Sequence, residues 1–120
     1  MATNWSEHIV IAELADEPAL SEELNSVHTR LVSLPPAKMP HVILNLASVT
    51  YLNSSNIAQL LRLRKRLDEC GKRLKVCSVS DHVWSVMLVT GLDKVFRFAP
   101  DTASAIASVQ LEDAAARPGG

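Results

Sequence analysis

Aromatic residues are scarce, at 4% of the 120 residues, so a core has to be assembled from Leu, Val, Ile and Ala. Hydrophobic residues still make up 48% of the chain, an ordinary globular composition, and this length fits one domain with one core. Long apolar runs are missing. No stretch approaches the roughly 18 uninterrupted apolar residues of a membrane span, and Glu7 and His8 stand where a secretory leader would need apolar residues. Cysteine is limited to Cys70 and Cys77. Their spacing matches neither a CxxC redox motif nor a zinc-ligand pair, and two cysteines make no disulfide framework, so reduced thiols in a cytoplasmic protein are the simplest expectation. A surplus of positive charge is also absent. The formal net charge of −1 argues against a dedicated nucleic-acid binder.

Catalytic signatures are missing as well. The junction ASVTYLNSSN at 47–56 contains no glycine, which excludes both the Rossmann fingerprint and the P-loop. His8, His28, His41 and His82 show no HExxH spacing, so no metal site is expected. A serine hydrolase would want a strained GxSxG elbow, which the chain lacks. These absences leave no catalytic residue and no cofactor to assign, and the expectation is an interaction domain, not an enzyme.

What is present is an alternation of two periodicities. Ile9 to Leu14, preceded by Trp5, forms a short branched run that predicts a strand, with a partner strand or extension near residues 3–6; Asp16, Glu17 and Pro18 end it. Leu20, Leu24, Val27, Leu31 and Leu34 recur at spacings of three and four and predict a helix, stopped by Pro35 and Pro36. HVILNL at 41–46 predicts a buried strand. Residues 54–70 predict a helix capped by Ser54 or Ser55. Its buried arc holds Ile57, Leu60, Leu61, Leu63, Leu67 and Cys70, and Arg62, Lys65, Arg66 and Glu69 lie opposite. KRLKVCSVS at 72–80 predicts the next strand, Asp81 caps the helix after it, and Gly91 ends that helix at positive φ. Residues 94–98 alternate as a short strand, and Pro100 and Asp101 introduce a last helix. The order β-α-β-α-β-α-β-α requires crossovers, hence an α/β fold with a mostly parallel sheet. Residues 1–113 are expected to form one domain and 114–120 a flexible tail.

Charge is unevenly distributed. Residues 1–37 carry six acids against one Arg, residues 38–75 eight bases against two acids, and residues 76–120 five acids against three bases. The basic middle presents a local positive patch, read as a solvated helix face or a docking surface for a partner. Ser54 and Ser55 stand at the start of the same helix. A phosphate on Ser54 would add about −1.5 to −2 charges beside free backbone N–H groups, which a helix tolerates. A partner packed over that end would have to desolvate the new charge, so modification would dismiss the partner without unfolding the domain.

The ordered set HVILNLASV (41–49), TYLNSSNIAQLLRLRKRLDECGKRLKVCSVS (50–80) and VTGLDKVFRF (89–98) resembles a STAS domain of the anti-sigma-factor antagonist family, over residues 8–112. The shared pattern is a strand, a D-S-S-G-type turn, an amphipathic helix, a second strand, and a helix ending in TGL before a short strand. The resemblance implies a STAS-type fold, with a mostly parallel or mixed sheet of four to five strands and about four helices. In the family the first serine after the Asp is phosphorylated, which maps to Ser54. Unphosphorylated members bind a serine-kinase anti-sigma factor and so release its sigma factor; the kinase phosphorylates the serine and lets go, and a serine phosphatase resets the cycle. The resemblance therefore implies Ser54 as the switch, Asn53, Ser55 and Asn56 as the partner-binding turn around it, and Arg62, Lys65 and Arg66 as docking residues. Asn53 stands where the family usually has Asp, and Asn56 where it usually has Gly. These departures leave a second expectation: a divergent STAS scaffold that binds a protein or small molecule without being phosphorylated.

Overall fold

The computed structural model describes residues 3–116, with side chains described through Asp113. Strand β1 (Thr3–Trp5) turns into β2 (Ile9–Ala15), followed by α1 (Ala19–Ser33), β3 (His41–Ser48), α2 (Ser54–Glu69), β4 (Leu74–Cys77), α3 (Asp81–Thr90), β5 (Arg97–Ala99) and α4 (Thr102–Ala116). The strands lie in the order β1-β2-β3-β4-β5 in one sheet. β1 runs antiparallel to β2, and the other three pairings are parallel. The partner strand expected near residues 3–6 is β1, a three-residue edge.

Alternation along the strands divides the apolar residues between two faces. Val10, Ala12, Leu14, Val42, Leu44, Leu46 and Val76 join the main core with the buried leucines of α1 and α2 and with Val83 and Met87 of α3. Ile43 and Cys77 face the other way, onto Ala105 of α4, with Ile9, Ile11, Ala99 and Ile106 packed around them. β3 is thus covered on both sides, which is why HVIL reads as an unbroken apolar run.

Acids at the end of the last helix fasten it to the sheet. Glu112 accepts a hydrogen bond from the nearly buried Lys75 ammonium at 2.7 Å and lies 2.9 Å from Arg73 Nε, an ion-pair contact without in-line N–H geometry. Burial alone would raise the Glu112 pKa; the hydrogen bond and charge of Lys75, with Arg73, outweigh it and hold the carboxyl below its ordinary value. His41 Nδ1 accepts from the Arg73 amide at 3.0 Å, so its Nε2 carries the proton donated to Asp113 at 2.8 Å. α4 runs through Ala116, past the domain end expected at 113; residues 117–120 of the expected tail lie outside the described residues.

Two caps differ from expectation. Asn53, not Ser54 or Ser55, caps α2. Ser80, not Asp81, caps α3, its hydroxyl accepting from the Val83 amide at 3.3 Å. In both cases the residue just before the first helical one, with extended backbone, takes the role, because a cap must sit outside the helical turn it closes. Gly91 ends α3 at φ 76°, as its sequence context predicts. The following strand is β5 at 97–99, later than 94–98, because Leu92–Lys94 forms a 3₁₀ turn first.

Candidate functional site

Parallel strands finish at one end of a sheet, so the segments leaving β2, β3 and β4 meet there. The Thr50 amide and hydroxyl donate to the Asp16 carboxylate at 2.8 and 2.7 Å, joining the first two segments. The Ser80 hydroxyl donates to the Val49 carbonyl at 3.4 Å, joining the third. α2 starts from this cluster.

Its first turn is fixed by a reciprocal pair of asparagines. The Asn53 side-chain oxygen accepts from the Asn56 amide at 2.8 Å, and the Asn53 amide donates back to Asn56 Oδ1 at 3.0 Å. This is a capping box made without Ser, Thr or Glu. Ser54 and Ser55 are therefore released from capping. Both are exposed, and among the described residues neither hydroxyl makes a hydrogen bond.

Asn56 faces the interior of the domain. It is fully buried, and its amide nitrogen reaches Ser21 Oγ at 3.3 Å, Glu17 Oε2 at 3.4 Å and Gln59 Oε1 at 3.5 Å. Its implied place in the partner-binding turn is corrected to a structural one, because a side chain closing the cap points back beneath the helix start. Glu17 is gathered into the same network. The hydroxyl and then the amide of Ser21 lower its pKa; desolvation opposes them, and the amide side chains of Asn56 and Asn53 add to the lowering. Asp16 is lowered chiefly by the Thr50 hydroxyl and amide. Two ionised carboxylates thus flank the beginning of α2. From sequence they read only as strand terminators. The signal was topological: parallel pairing puts the end of β2 beside the end of β3.

The outer face of α2 extends the site. Ser54, Ala58, Leu61 and Lys65 fall at spacings of three and four and are all exposed, forming a row about 16 Å long. Leu61, expected in the buried arc, is 39% exposed. The reason is angular: Leu60, Leu63 and Leu67 already fill the contact, and Leu61 sits 100° beyond Leu60. Arg62 is exposed beside the row. Arg66 departs from the docking set, since it is only partly exposed and donates to the Leu34 carbonyl at 2.9 Å, tying α2 to the end of α1. Partial burial first, and then the Arg62 and Arg66 charges, push the neighbouring His28 imidazole below its ordinary pKa.

A recess of about 330 Å³ opens at the same end of the sheet, lined by Ser78, Val79, Asp81, Trp84, Phe98 and Pro100 among others. Trp84 and Phe98 meet edge to face there, with centroids 5.1 Å apart. Among the described residues no group of three or more His, Cys, Asp or Glu could hold a metal ion, and no helix is long and apolar enough to cross a membrane.

A family model of the STAS domain matches residues 3–105. The chain belongs to the STAS domain family. Its five-stranded mixed sheet and four α-helices are the STAS-type architecture that the sequence resemblance implies. A STAS domain protein from Planctomyces limnophilus superimposes with TM-score 0.76 at 20% identity, over 91% of this chain and 97% of that one. The anti-sigma factor antagonist SpoIIAA in its unphosphorylated form gives 0.74 at 18% identity, over 91% and 95%. The Bacillus cell fate determinant SpoIIAA in its phosphorylated form gives 0.66 at 18% identity, over 90% and 97%. At these identities the likeness establishes the STAS fold.

Proposed function

We propose that this STAS domain is an anti-sigma-factor antagonist that binds a serine-kinase anti-sigma factor and is switched off by phosphorylation of Ser54. The observation that carries the reading is the Ser54 hydroxyl: exposed, unbonded, and at the first position of a helix already capped by Asn53. Such an oxygen is reachable by a kinase, and its loss as a hydroxyl costs the fold no hydrogen bond.

Phosphorylation would form a bond from Ser54 Oγ to the γ-phosphorus of a nucleotide, with ADP leaving and the hydroxyl proton passing to a base of the kinase. This chain supplies only the nucleophile. The amides of the first turn and the helix dipole favour the new phosphate. Recognition changes more than stability, because Asp16 and Glu17 already carry negative charge at the helix start and the phosphate adds about −1.5 to −2 more. A partner that accepts the neutral hydroxyl then meets a strongly anionic patch that it must desolvate. Glu17 also bears on the departure at position 53. In this reading a carboxylate at the helix start comes instead from Glu17, which accepts from the Asn56 side-chain amide at 3.4 Å. The Ser54–Lys65 row, with Arg62 beside it, is the docking face, and a serine phosphatase resets the switch. Control of transcription would pass through the protein partner, in the cytoplasm, without direct contact to nucleic acid.

The test is incubation with the cognate kinase and ATP, read by intact mass. One phosphate is expected, absent in Ser54→Ala. Ser54→Asp should keep the parent circular dichroism spectrum and weaken the complex about tenfold or more. Tight binding by Ser54→Asp, with no phosphate on the parent chain, would refute the switch.

The recess between Trp84 and Phe98 supports a second reading, a STAS scaffold that binds a small molecule or protein without phosphorylation. Capture of a non-kinase partner, insensitive to Ser54→Asp but lost in Trp84→Ala, would select it.

A further inference from the structure

Several of the basic residues singled out by the charge distribution lie outside the Ser54 face and collect at the opposite end of the sheet. β4 begins at Leu74, paired with the start of β3 at Val42, and Arg97 of β5 pairs with Lys75. This is the end where parallel strands start. Asp68, at the far end of α2, stands about 21 Å along the helix from Ser54.

Here Arg64, Lys72, Arg73, Lys94 and Arg97 surround a recess of about 200 Å³ floored by Leu74, Val95 and Phe96. Asp68 is the one acid among the described residues of its lining. The five cations come from α2, the turn before β4, the 3₁₀ turn and β5, so they converge through folding and not through adjacency in sequence. Arg64 is held in place, its Nε donating to the Val95 carbonyl at 3.1 Å and its Nη1 3.4 Å from Asp68. Arg73 is paired with Glu112. Among the described residues, the side chains of Lys72, Lys94 and Arg97 have no hydrogen-bond or ion-pair partner. Three unpaired cations around a small concavity, in a chain of net charge −1, repel one another when the site is empty. A guanidinium fork and ammonium groups lining one recess match phosphate oxygens. The small volume selects a compact ligand over a long polymer.

We propose that this recess binds a compact, multiply charged phosphate anion of the diphosphate class. The site is separate from Ser54 and does not depend on the kinase reading. Its ligand is either a free diphosphate or the diphosphate end of a nucleotide.

The test is titration of the full chain with inorganic pyrophosphate, followed by amide chemical shifts and calorimetry. Saturable binding below about 1 mM at low salt is expected, with shifts at residues 72–74 and 94–97. Affinity should fall as ionic strength rises, because the charges are solvent-screened. The double variant Lys94→Glu, Arg97→Glu alters exposed side chains and should weaken binding about tenfold or more with an unchanged melting curve. Lys38→Glu, elsewhere on the surface, should leave it unchanged. A parallel titration with ADP identifies the source: tighter binding than pyrophosphate, with the same shifts, assigns the site to a nucleotide. No saturation by about 10 mM pyrophosphate would overturn the proposal. So would equal affinity for sulfate and pyrophosphate, an unaffected double variant, or binding of long RNA without pyrophosphate.

Discussion

Replacing Asn56 with Ala isolates the device that frees the serines. Asn56 is fully buried, and the substitution removes the acceptor for the Asn53 amide and the amide donor shared by Ser21 and Glu17. The cap term alone is about 0.5–2 kcal/mol, and half-exposed partners that regain water limit any further cost. A total near 1–2 kcal/mol follows, which for a domain of this size lowers Tm by about 4–10 °C. Thermal and urea unfolding by circular dichroism measure it, with an unchanged m-value showing that the loss lies in the native state. A double-mutant cycle adds a sharper check. Asn53→Ala breaks the other half of the same box, so the combined loss should fall short of the sum by about 0.5 kcal/mol or more. A Tm within about 1 °C of the parent, or strict additivity, would show that the box does not hold the helix start.

Other outcomes follow from the same structure. Leu63→Ala removes a fully buried side chain between α2 and the sheet and should cost about 2–5 kcal/mol by urea unfolding. Gly91→Ala places a Cβ in open space but keeps φ at 76°, so the loss should be conformational, about 1–2 kcal/mol, with the helix otherwise intact. Thr50→Val removes the largest cause of the lowered Asp16 pKa, and a carboxyl NMR titration should move Asp16 back toward its ordinary value. Asp16, Glu17, Asp101 and Glu112 all have folded pKa values below their unfolded ones. Their contribution is therefore full above the unfolded values, and Tm should decline as acid titrates through the lower, folded values.

The fold was legible wherever one periodicity dominated. Leu20, Leu24, Val27 and Leu31 mark α1, and HVIL marks β3, because burial on one stripe or on two faces writes directly into residue order. The caps were less legible. Asn53 and Ser80 compete with equally suitable neighbours, and backbone conformation, not residue type, decides between them. Of the candidate site, the exposed serines Ser54 and Ser55 are legible in the motif, whereas the position of Asp16 and Glu17 depends on which strands lie side by side. Arg66 and Asn56 read as outward-facing polar residues until their partners, the Leu34 carbonyl and the Asn53 amide, are in view.

One sheet face has a single roof. Cys77, fully buried, lies between Ile43 and Ala105 beneath α4, while Cys70 elsewhere is already partly accessible. A thiol reagent should therefore modify Cys70 readily and Cys77 only when that roof lifts, so the slow labelling rate reports the opening of the last helix without any engineered probe. Cutting the chain before Thr102 would strand Lys75 without Glu112 and bare the apolar strip beneath, which makes this end of the domain a poor place to shorten.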